Sequence, residues 1–285
     1  MNTLRLRDRL LGLLVITRPH DCLGAALVLL LGAYLGGAAS LWTWAMALAT
    51  GVVVSVAAMG TVANDICDVT VDQLGKPWRP IPSGRVSRRT AVILASALLV
   101  VALALAALLG GWALIIASAV VVLSLAYSYR LKSTVLLGNA AVGLTAAAAV
   151  LYGALVGARV TAPVLFAAGL VFLFHMTREV LKSIADSDCD ARAGVVTVAT
   201  RYGATRALRA FQALAIVILV VAPLPWFLGS APAGYLLAIL AGSMAPLLAI
   251  VLWLNWRLQE RTVHVSLRVM KLMWLCGVFG LALLR

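Results

Sequence analysis

Nine stretches of this chain stay apolar for about the 20 residues that a helix needs to cross a hydrocarbon core. They lie near 19–38, 41–64, 89–109, 112–130, 134–157, 162–182, 206–228, 232–255 and 265–284. Inside a bilayer every backbone N–H and C=O must be paired within the protein, so only helices and closed barrels can span it. The runs lack the period-two alternation of a barrel strand, which leaves helices. Their joints are marked by Gly, Pro or charge, as in "GGW", "GARVTAP" and "GSAPAG". Hydrophobic residues make up 64% of the chain and charged residues 12%, against roughly half and about a quarter in soluble domains. The expected fold is an all-α polytopic membrane protein, a single integral domain over 1–285. The basic start "MNTLRLRDRLLGLLVITRPH" has no small-residue cleavage site after a short apolar core, so no cleavable signal is expected.

Basic residues set the direction of such a chain, because Lys and Arg collect in cytoplasmic loops. With the N-terminus inside, the cytoplasmic face receives all of the 23 Lys and Arg except Arg159 and Arg285. Nine spans then put the C-terminus outside, and two polar loops, roughly 65–88 and 183–205, inside. The net charge of +13 is explained by this bias, and nucleic acid is not expected as a partner. Arg greatly outnumbers Lys, which suggests a GC-rich bacterial genome and the cell (inner) membrane. Four cysteines without a CxxC pair, together with three histidines, argue against zinc.

The chain holds only ten acidic residues, and most gather at the cytoplasmic ends of two spans. "NDICDVTVD" carries Asp65, Asp68 and Asp72; "DSDCD" carries Asp186, Asp188 and Asp190. If the second span runs on as helix, Asn64, Asp68 and Asp72 share one face at i, i+4 and i+8, and Asp186 and Asp190 are likewise four apart. Like charges so spaced repel, and a divalent cation relieves the repulsion. Oxygen donors without Cys or His suit magnesium, which takes its remaining ligands from water and phosphate. Lys76, Arg79, Arg85, Lys132, Arg178 and Lys182 stand ready for phosphate oxygens. The plainer alternative for each cluster is a solvated helix end beside a charged loop.

These residues resemble the UbiA superfamily of intramembrane prenyltransferases. "NDICDVTVD" with "KPWRPIPSGRVS" is similar to that family's first Asp-rich motif, and "DSDCDARAGVVTVATRYG" to its second. "TRPHD" and "YSYRLKSTVLLGN" give further likeness, and "TREVLKSIADSDCDARAG" looks most like the digeranylgeranylglyceryl-phosphate synthase branch. The resemblance implies two pseudo-equivalent four-helix halves plus a ninth helix around a central cavity. It implies two magnesium ions that bridge a prenyl diphosphate, one held by Asn64, Asp68 and Asp72, the other by Asp186 and Asp190. Three departures from the family pattern, Asp21, Ser183 and Cys189, neighbour the diphosphate site.

The implied chemistry is transfer of a prenyl group from an isoprenyl diphosphate to a lipophilic acceptor, aromatic or glycerol-phosphate in type. The catalytic role falls to Asp68, Asp72, Asp186 and Asp190. Cations stabilise the departing diphosphate, while an apolar cavity keeps water from the allylic cation. Tyr127, Tyr129 and Phe174 are candidates to face that cation, and His175 is a candidate base. Asp21 either caps a helix start or contributes to acceptor binding. A terpene cyclase on the same scaffold, which needs no acceptor, is the alternative enzyme. A secondary transporter is the alternative from another class, although its charges belong near the bilayer midplane. Gly32-x-x-x-Gly36 offers a close-packing face but specifies no oligomer.

Overall fold

The computed structural model describes residues 6–285. Arg5, one of the basic residues assigned to the cytoplasmic face, lies outside them. All regular secondary structure among the described residues is helical, without a strand. In chain order the helices are α1 (Leu6–Ile16), α2 (Pro19–Leu35), α3 (Trp44–Cys67), α4 (Val69–Gly75), α5 (Arg88–Leu109), α6 (Gly111–Tyr129), α7 (Leu137–Gly157) and α8 (Ala162–Ala185). They continue with α9 (Ser187–Arg192), α10 (Val198–Tyr202), α11 (Ala204–Val221), α12 (Leu224–Phe227), α13 (Ala233–Ile239), α14 (Ala245–Trp256) and α15 (Glu260–Ala282). Nine spans result among the described residues: α1 with α2, α3, α5, α6, α7, α8, α11 with α12, α13 with α14, and α15. A π-helical turn at Leu240–Met244 joins α13 to α14.

The first span starts at Leu6 rather than near residue 19. Its apolar character continues on both sides of the polar Thr17-Arg18-Pro19-His20-Asp21 stretch, which divides the span locally without ending it. Pro19 has no amide to donate and disfavours helix at the residue before it. Arg18 accordingly turns to φ 49°, and α2 begins at Pro19.

The two halves repeat at a register of 118 residues. Arg18 and Leu136 are the two non-glycine residues with positive φ among those described, and each precedes a helix, at Pro19 and at Leu137. Such a conformation is uncommon for bulky side chains. Thr43 and Thr161 cap helices of 24 residues, each accepting the amide three positions on. Those helices end at Asp68 (φ −92°, ψ 8°) and Asp186 (φ −93°, ψ 0°). The four spans of each half, with α15 added, build the bundle.

The halves meet closely where α2 crosses α7. A Cβ on Gly32 would strike the backbone of Val150, and one on Gly153 the backbone of Leu29. The small-residue face of α2 is therefore taken up inside the chain. Around this crossing, Leu29, Ala33 and Val150 are fully buried. Apolar clusters fill both halves and draw in α15 through Met270 and Met273.

Candidate active site

The helix through the first acidic segment does not run on as the spacing suggests. It breaks at Asp68 and resumes as α4. The four-residue hydrogen-bond step survives the break: Asp68 N–H donates to Asn64 C=O, Asp72 N–H to Asp68 C=O, and Lys76 N–H to Asp72 C=O. The second segment copies this, with Asp186 N–H on Lys182 C=O and Asp190 N–H on Asp186 C=O. A helix that kinks but keeps its pairing can turn its last carboxylates inward without orphaned amides. Cys189 of α9 packs on Gly75 of α4, where a Cβ would come within 2.6 Å of its sulfur. This contact brings the two segments together.

Asn64, Asp68, Asp72, Asp186 and Asp190 all line one polar pocket of about 110 Å³, with Arg79, Tyr127, Lys132 and Lys182 in the same wall. Below it opens an apolar cavity of about 870 Å³. The two share Arg18, Asn64, Arg79, Tyr127, Glu179 and Lys182.

Most of the acids already have cationic partners. Lys132 pairs with Asp68; Arg79 lies 2.6 Å from Asp72 and 3.1 Å from Asp65; Lys76 lies 2.9 Å from Asp186. Glu179 takes Lys182 at 3.1 Å and Arg178 at 3.3 Å. Burial pushes the Asp72 carboxyl above its usual range in spite of Arg79. Asp190 has no ion-pair partner among the described residues. Burial, then the neighbouring Asp186, pushes its carboxyl up to about 6.

No three carboxylate, His or Cys groups among the described residues converge closely enough to hold a metal as they stand. The donor set nevertheless fits a hard cation. Asn64 Oδ1 is buried without a hydrogen-bond donor, while its amide N–H donates to Asp68 at 2.7 Å. Asn64 and Asp190 thus leave one open oxygen group on each segment, beside carboxylates whose lysine partners can exchange for a cation.

Several expected residues sit elsewhere. Arg85 does not reach the polar pocket; it bonds the Trp78 carbonyl and Ser83 Oγ at the rim of the apolar cavity. Arg178 and Asp21 also line only the apolar cavity. Asp21 is half exposed and lies 3.3 Å from His20, and α2 has no side-chain cap, which removes the capping role. Tyr129 is 71% exposed, so it cannot face a cation inside; Tyr127, Phe174 and His175 line the cavity. Ser183 does line the polar pocket, with its hydroxyl donated to Val180 C=O at 2.7 Å. Asp188 is exposed.

Asp65 belongs to the first acidic cluster but falls off the i, i+4 face, so the spacing gives it no ligand role. It is 3% exposed and holds both Arg18 and Arg79. A buried carboxylate between two guanidiniums is a structural anchor for the pocket roof.

A lipid-facing helical bundle with two facing acidic segments over an apolar cavity defines an intramembrane enzyme acting on amphiphilic substrates. The chain belongs to the UbiA prenyltransferase family, whose pattern it matches over residues 24–283; it is a membrane-integral prenyltransferase. It is 38% identical over 239 residues to digeranylgeranylglyceryl phosphate synthase of Methanopyrus kandleri, covering 84% of this chain and 87% of that one. It is 36% identical to the synthase of that name from Ignicoccus hospitalis, over 96% and 91% of the two chains. A solved structure concerned with digeranylgeranylglyceryl phosphate synthase in membranes superposes with TM-score 0.76 at 25% identity, covering 96% and 98%. A UbiA homologue from Archaeoglobus fulgidus bound to GPP and Mg²⁺ has the same fold, with TM-score 0.70 at 19% identity over 95% and 99%. These relatives are archaeal, which withdraws the support for a bacterial source drawn from the Arg-rich composition.

Proposed function

We propose that the chain transfers a geranylgeranyl group from its diphosphate to the hydroxyl of a glycerol phosphate that already carries one such chain. The observation that carries this reading is the joining of Asn64, Asp68, Asp72, Asp186 and Asp190 in one polar pocket that opens directly into an apolar cavity. The likeness to digeranylgeranylglyceryl phosphate synthases supports a glycerol-phosphate acceptor.

Asn64, Asp68 and Asp72 would hold one magnesium ion, and Asp186 and Asp190 a second. When bound, magnesium neutralises charge on the diphosphate and makes it a better leaving group. Lys76, Lys132 and Lys182, now paired with Asp186, Asp68 and Glu179, would turn ammonium donors to the phosphate oxygens of the diphosphate. The prenyl tail lies along the apolar walls, which keep water from the allylic cation. The scissile C–O bond breaks with its electron pair on the diphosphate. The acceptor's hydroxyl oxygen forms the new C–O bond, and its proton passes to the diphosphate that has left.

Purified protein given geranyl, farnesyl and geranylgeranyl diphosphates, with and without glycerol-phosphate and aromatic acceptors, decides by mass spectrometry of products. A doubly prenylated glycerol phosphate that requires magnesium is the expected product. A hydrocarbon or alcohol formed from diphosphate alone would make the chain a terpene cyclase. Prenylated aromatics alone would retain the transferase and replace the acceptor.

A further inference from the structure

We propose that Lys271, with His20 beside it, is the seat of the acceptor's phosphate at the mouth of the apolar cavity; this rests on the glycerol-phosphate reading above. Lys271 belongs to α15, a membrane span. An ionisable side chain within a span is unfavourable and, as a rule, faces a cavity on a ligand's path. Lys271 does line the apolar cavity. Exposed Leu272 and Leu275 flank it, so a single cation stands in an apolar mouth, the arrangement that suits an amphiphile.

The other cationic side chains of the cavity have hydrogen-bond partners within the fold. Arg18 and Arg79 are held by Asp65 and Asp72. Arg178 and Lys182 share Glu179, and Arg85 is bonded to the Trp78 carbonyl and Ser83. Lys271 has no carboxylate within ion-pair distance among the described residues. Its polar neighbour is His20 Nε2 at 3.4 Å, itself 3.3 Å from Asp21 Oδ1. With Asp21 engaged by His20, the ammonium keeps donors for a phosphate oxygen.

Position favours the acceptor over the donor. Lys271 and His20 line the apolar cavity and not the polar pocket. A phosphate held there is kept apart from the donor's diphosphate, so the two anions do not share one site. Tyr127 and Lys182 stand in the walls of both cavities, so the acceptor's cavity adjoins the donor's pocket.

The source of the phosphate, acceptor or bulk phospholipid, is separated by binding measurements on the full chain in nanodiscs, without donor. The probes are geranylgeranylglyceryl phosphate and the same ether lacking phosphate, in phosphatidylcholine discs and in discs enriched in phosphatidylglycerol. Wild type is expected to bind the phosphate ester about tenfold or more tighter than the alcohol, as one charge-assisted hydrogen bond allows. Lys271→Met should bind both alike, Lys271→Arg should restore most of the preference, and affinity for geranylgeranyl diphosphate, titrated in a separate experiment, should stay unchanged in both. A preference that persists in Lys271→Met overturns the site. So does its disappearance in wild type when phosphatidylglycerol is added, since the lysine would then serve the bulk headgroups. Product formation is read separately: binding preference without transfer counts against the proposed reaction and not against the phosphate site.

Discussion

Lys76 Nζ lies 2.9 Å from Asp186 Oδ1 and 3.0 Å from its Oδ2, so the lysine that ends one acidic segment clasps the carboxylate that begins the other. The bond spans the two halves and closes the polar pocket from one side. A donor diphosphate that enters with its cations offers Lys76 a more highly charged partner. Lys76→Met is expected to raise the donor KM about tenfold or more, from the loss of one charge-assisted hydrogen bond. The acceptor KM should hold steady. Steady-state kinetics with each substrate varied in turn tests the split, and an equal rise in both would assign Lys76 to folding of the loops instead.

Asp68→Asn, Asp72→Asn, Asp186→Asn and Asp190→Asn should each reduce turnover by about 10²-fold or more, because a missing ligand misplaces the reacting groups. Yield of folded protein in detergent should hardly change. Asp188, exposed and outside the pocket, should tolerate the same change. The ligand assignment fails if Asp188→Asn is inactive while Asp186→Asn works.

Asp190 predicts a pH dependence of cation binding. Its carboxyl is raised to about 6 in the cation-free fold, so below that pH a proton must leave before a cation enters. Magnesium affinity is expected to fall as pH drops through about 6 and to level off above it. The linked effect on stability has the opposite sense: a raised carboxyl favours the cation-free fold at low pH, and that contribution is lost as pH rises through about 6. Titration of magnesium at several pH values checks this. Asp190→Asn should bind more weakly and lose this part of the dependence; an unchanged slope would exclude Asp190 as its source.

Gly153→Ala tests the crossing of α2 and α7. The added Cβ would meet the backbone of Leu29, which cannot rotate away as a side chain can. A loss of about 1–3 kcal/mol, typical of overpacking, should appear as a lower melting temperature in detergent. Gly169→Ala, where a Cβ meets nothing, is the control and should melt like the parent.

The basic residues propose an orientation with the acidic segments at the cytoplasmic face. On a cysteine-free background, Gln73→Cys and Arg192→Cys should react with impermeant maleimide only from the cytoplasmic face, and Arg159→Cys only from the outside. Reversed labelling would invert the proposed topology.

The nine spans and the two acidic segments could be read from the residue order because their causes are local. A bilayer demands about 20 apolar residues in a row, and carboxylates four apart are neighbours along any helical path. The 118-residue register was also present in the chain, in the shared spacing of Asp68 with Asp72 and Asp186 with Asp190, yet it became evident only through paired backbone features such as Arg18 and Leu136. Packing between distant segments settled the rest. Asp65 is buried between Arg18 and Arg79, Lys132 meets Asp68, Arg85 and Asp21 stay at the rim of the apolar cavity, and Lys271 comes to His20 from the far end of the chain. The contacts of Arg18 with Asp65, Lys132 with Asp68 and Lys271 with His20 join segments whose separation in sequence carries no period or motif. Which charges meet is decided by how the helices cross, and the crossings depend on volumes such as those of Gly32 and Gly153 against backbone more than a hundred residues away.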